Sequence, residues 1–130
     1  MTGIAPDGEA IAALAEAARD ALPPPFAALA REVRIVVEDW PSDDLLESMD
    51  IANAYELTGL YEGEPLTERS VEWPASPSEI TLFRRPILDE WAARGDVTLE
   101  DLVAHVTVHE FAHHFGWSDE EIARIDRWWE

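Results

Sequence analysis

All four histidines of this 130-residue chain, His105, His109, His113 and His114, fall within one ten-residue stretch. They lie inside the longest helical pattern of the sequence. Thr98 and Asp101 open it with capping-box-like spacing, and Gly116 stops it. Leu102, Val106, Phe111 and Phe115 read as its core-facing residues. That clustering of histidines is the most informative feature of the chain.

The length fits one domain over residues 1–130. Hydrophobic residues make up 47 %, enough to build a core despite a formal net charge of -19. That charge comes from 28 acids against 9 bases, every one of them Arg. Nucleic acid is excluded as a partner, because a phosphate backbone needs a basic footprint, and anionic membranes are disfavoured on the same ground. The acidity either draws in cations and basic partners or simply keeps the protein soluble. With no Cys there is no disulfide and no thiolate, so a metal would have to be held by nitrogen and oxygen. No apolar run is long enough to cross a bilayer, and the Ala-rich start lacks the basic flank of a secretory signal. The expected location is cytoplasmic.

Along the chain, Asp7 caps a first helix with Ile11, Leu14, Ala18 and Leu22 on one stripe, and Pro23 to Pro25 end it. Phe26 to Arg31 reads as a short helical turn. Val33 to Glu38 is the clearest strand and is expected in the sheet interior. Ser42 caps a brief helix to Met49, and Glu56 to Tyr61 reads as a second strand. A surface loop is expected over Thr67 to Ser78, a third strand over Ile80 to Arg84, a helix over Pro86 to Arg94 stopped by Gly95, and a last helix from Ser118 to Glu130. The fold class is α+β, a small mixed sheet with helices packed against it.

His109 and His113 are four residues apart, hence about 6 Å apart along a helix axis and about 40° apart around it. Two imidazole nitrogens on one face can reach a single zinc ion. Glu110 completes the HExxH pattern, in which the carboxylate acts as general base toward a water. A third ligand from the same chain requires the helix to stop and turn back. Gly116 can adopt the left-handed conformation that does so, and Asp119 follows three residues later with a hard oxygen.

The string His109-Glu110-Phe111-Ala112-His113-His114-Phe115-Gly116-Trp117-Ser118-Asp119 resembles the extended HExxHxxGxxD zinc motif of metzincin-type metallopeptidases. With Glu62-Gly63, Pro65 to Arg69 and Ile80 to Phe83 upstream, most of the chain resembles the small bacterial minimal-zincin family of metallopeptidases. The resemblance implies a minimal zincin-like fold, Zn2+ held by His109, His113 and Asp119, and Glu110 as catalytic base. It implies hydrolysis of a peptide or protein substrate, with Glu110 passing the proton of the water to the leaving amine. The larger metzincins place a Met-containing turn after the third ligand, and no Met follows Asp119 here.

Several residues carry two readings. Ser118-Asp119-Glu120-Glu121 also suits a helix N-terminus, where acids complement the dipole. His105 is a neighbour of the metal set, an alternative ligand, or a core or boundary histidine. His114 points about 100° away from His113, toward sheet or solvent. Trp117, Trp128 and Trp129 either pack the last helix over the site or mark a partner surface. Ile80 to Arg84 is either the edge strand that pairs with an extended substrate or an internal strand. Tyr55, Tyr61 and Arg84 are candidate oxyanion donors by chemical type. The alternative function is a non-catalytic binding module on the same scaffold, with structural metal or none.

Overall fold

The computed structural model describes residues 6–23, 26–63 and 78–116. Helix α1 spans Gly8–Asp20, α2 Phe26–Ala30, strand β1 Arg34–Glu38 and α3 Asp43–Ser48. A 3-10 turn at Ala54–Glu56 leads into β2 (Gly59–Glu62). Then come β3 (Glu79–Phe83), α4 (Arg84–Arg94) and α5 (Leu99–Phe115). No helix among these residues is long and apolar enough to cross a membrane. All of the expected loop over Thr67 to Ser78 except Ser78 itself, and the helix from Ser118, lie outside the described residues.

Helix starts follow local chemistry. The side chains of Asp7, Ser42 and Thr98 accept from the amides of Ala10, Leu45 and Asp101 at 2.9, 3.1 and 3.0 Å, satisfying N–H groups that lack a partner in the first turn. Helix α4 ends at Gly95 with φ 73°, and α5 ends at Gly116 with φ 74°, both left-handed.

The sheet is mixed, in the order β1-β3-β2. β1 runs parallel to β3 with Ile35 opposite Ile80, and β2 runs antiparallel on the other side with Tyr61 opposite Ile80. This corrects one expectation, the interior position of Val33 to Glu38, and decides between the two readings of Ile80 to Arg84. The central strand is β3, and β1, richest in β-branched residues, lies at an edge among the described strands. Ile80, Thr81, Leu82 and Phe83 are all buried, as a strand covered on both faces requires, whereas the middle of β1 is only half-buried. Ile80 and Leu82 enter the main core with Ile11, Val103, Val106 and Phe111, and Phe83 enters a second cluster with Leu46 and Leu57. Alternation along the strand thus divides the apolar interior between the two faces.

Helix α5 is enclosed by this arrangement. It packs against α1, α4, β2 and β3. Beyond its first turn every residue of α5 is buried except His105, His109 and His113. The single accessible stripe of the helix is therefore a row of imidazoles at i, i+4 and i+8.

Candidate metal centre

His113 is exposed, His109 is half-buried, and their rings lie 5.2 Å apart at 80°. Two imidazoles sharing one tetrahedral ion, at nitrogen distances of about 2.0–2.1 Å, have ring centres roughly 5 Å apart. The spacing of the pair matches that of two imidazoles sharing an ion. His105 lies on the same stripe, exposed rather than in the core, and lines a cavity of about 320 Å³ beside His109. Among the described residues no three His, Asp or Glu side chains converge on one point, so His105 does not complete the set. Asp119, the expected third ligand, lies outside the described residues, as do Trp117, Trp128 and Trp129.

Glu110 sits between the two histidines in sequence but turns inward, with 9 % of its surface exposed. Burial pushes its carboxyl up from the ordinary 4.5 to about 7, because the charged form loses its water; the main-chain amide of Tyr61, donating to it, pulls the other way. The carboxyl lines the 320 Å³ cavity together with Gly59 and His109. It also lines a second cavity of about 460 Å³, with Met49, Gly59, Tyr61 and His113. A buried carboxyl with an elevated pKa, facing two clefts and flanked by a histidine pair, is placed for proton transfer near neutral pH.

A family profile for zincin-like metallopeptidases matches residues 30–129, most of the chain. The chain belongs to the zincin-like metallopeptidase family. Its small α+β architecture agrees with a zincin-like fold. A comparison with curated proteins finds no match.

Three residues of this zincin-like site escape a reading by motif. Gly59 lets β2 approach α5: a β-carbon there would stand 2.9 Å from Val106 Cγ1 and 3.3 Å from Glu110 Cγ. An isolated Gly within the strand-like run Glu56 to Tyr61 is the sequence signal for such an approach. His114 faces the sheet and is fully buried, with Nδ1 2.7 Å from the Tyr61 hydroxyl and Nε2 2.9 Å from Glu32 Oε1. The Tyr61 hydroxyl, a candidate oxyanion donor by type, is thus engaged by His114 and by Ser78 Oγ at 3.2 Å. The other two candidates line neither of these cavities. Arg84 donates to the Pro6 carbonyl and pairs with Asp39, and Tyr55 packs edge-on against Trp40.

Proposed function

We propose that this chain is a zinc-dependent peptidase in which His109, His113 and Asp119 hold the ion and Glu110 is the general base. The observation that carries the reading is the conjunction on α5: two imidazoles on its only open stripe, and between them a buried carboxyl facing both cavities. The left-handed Gly116 supports it, since the chain leaves the helix at the point where a return toward the histidines has to begin.

Zinc, when bound, supplies a Lewis acid that polarises a carbonyl and acidifies a water. The chain's own groups do the rest. Glu110 takes a proton from the attacking water and delivers it to the departing amine. The substrate lies beside Glu110 in the cleft walled by β2, because β3, for which the sequence left an edge and an internal reading open, is internal. The two cavities take its side chains on either side of Gly59. The net charge of -19 favours basic peptides at low salt.

The test is metal analysis of protein purified without chelator, alongside cleavage of a broad peptide library read by mass spectrometry. One zinc per chain is expected in the wild type, lost in His113→Ala and Asp119→Ala. Glu110→Gln keeps the zinc and loses cleavage. A wild-type protein that takes up no zinc overturns the proposal, and one that holds zinc without cutting any peptide supports a binding module instead.

A further inference from the structure

The main chain and side chain of Tyr61 are both held by α5, and they are held one turn apart. The main-chain hold follows from the parity of the β2–β3 ladder. The Phe83 amide donates to the Thr58 carbonyl at 2.9 Å, so Thr58 and Phe83 form a hydrogen-bonded pair. Bonded and non-bonded pairs alternate between antiparallel strands. Gly59–Leu82 and Tyr61–Ile80 are then the non-bonded pairs, and the amides of Gly59 and Tyr61 point away from β3. An outward amide on an edge strand is ordinarily left to water or to an incoming strand. That of Tyr61 is turned instead toward α5, where Tyr61 and Glu110 line one cavity and the amide acts on the carboxyl as a donor, lowering its pKa.

The side-chain hold is the chain of contacts from Tyr61 Oη to His114 Nδ1 at 2.7 Å and from His114 Nε2 to Glu32 at 2.9 Å. His114 is completely buried, so these partners lock its ring, and the ring in turn locks the phenol. Glu110 and His114 are four residues apart on one helix. A single tyrosine therefore ties the edge strand to α5 at the turn that carries the carboxylate.

We infer that Tyr61 is a positioning residue for Glu110: its hydroxyl, anchored on His114 and Glu32, keeps its main-chain amide fixed against the carboxylate. The inference rests on the reading of Glu110 as general base. A Glu side chain has three rotatable torsions, and a proton acceptor misplaced by even half an ångström loses much of its effect. One stationary amide removes that freedom and leaves the remaining lone pairs of the carboxylate for the proton.

Tyr61→Phe tests this, because it keeps the amide and the ring and removes only the hydroxyl. On any peptide that the wild type cleaves, kcat is expected to fall about tenfold with KM within about twofold, and zinc content stays unchanged. Independently of activity, amide exchange at residue 61 of the metal-free protein, read by NMR, is expected to quicken about tenfold in Tyr61→Phe and at least as much in Glu110→Ala. Glu110→Gln retains an acceptor and keeps most of the protection. Exchange at residue 61 that ignores Glu110→Ala overturns the inference, and so does exchange unchanged in Tyr61→Phe. If exchange responds as described while the wild type cuts no peptide, the hold of Tyr61 on Glu110 stands and the peptidase reading falls.

Discussion

Replacing Glu110 by Gln in the metal-free protein removes a charge that burial opposes. The carboxyl is pushed from 4.5 to about 7, with loss of water as the main cause. Because the folded state holds this proton more tightly than the unfolded chain, its contribution to stability is complete below pH 4.5. It is lost as pH rises through 7. Linkage puts the loss at about 1 kcal/mol by pH 5 and about 3 kcal/mol by pH 8. Gln is close to isosteric, still accepts from the Tyr61 amide and does not titrate, so its advantage over Glu should grow across this interval by about 2 kcal/mol. A 130-residue domain unfolds with an entropy near 0.27 kcal/mol/K, on an average of about 2.1 cal/mol/K per residue. The advantage therefore corresponds to about 3 °C in Tm at pH 5 and about 10 °C at pH 8. Thermal unfolding by circular dichroism of both proteins, stripped with chelator, measures it. The other carboxylates titrate in both proteins and cancel in the difference. A Gln advantage that stays constant between pH 5 and 8 would refute the reasoning, since Glu110 would then not be a carboxylate held in the fold at the expense of stability.

Two further outcomes follow from close packing. Gly59→Ala sets a methyl 2.9 Å from Val106 and 3.3 Å from Glu110, and is expected to destabilise the fold by about 1–3 kcal/mol in urea titration as β2 is pushed off α5. Thr107 is fully buried on α5, and its hydroxyl has no hydrogen-bond partner among the described residues; Thr107→Val should stabilise by about 1 kcal/mol, visible as a higher denaturant midpoint at unchanged slope.

What could be read directly from the sequence is what depends on neighbours three or four residues away. Asp7, Ser42 and Thr98 cap their helices because a short polar side chain reaches the amide three residues on. Gly95 and Gly116 end theirs because a left-handed residue costs little without a β-carbon. His109 and His113 share a face because the helix repeats every 3.6 residues. The HExxH grouping was legible for that reason, and so was the α+β class.

Only the tertiary structure decided which strand lies in the middle, which residues β2 brings to Glu110, and what His114 does. β1 has the strongest strand composition and yet takes an edge among the described strands, because position in a sheet depends on how both faces are covered and not on the β-branched content of one segment. Tyr61 and Glu32 lie 53 and 82 residues from His114 in the chain, and no local pattern announces that they meet it. The pKa of Glu110 belongs to the same class. The sequence marks Glu110 by its place in HExxH but says nothing of its pKa, which rises only when β2 closes over the carboxyl and removes its water.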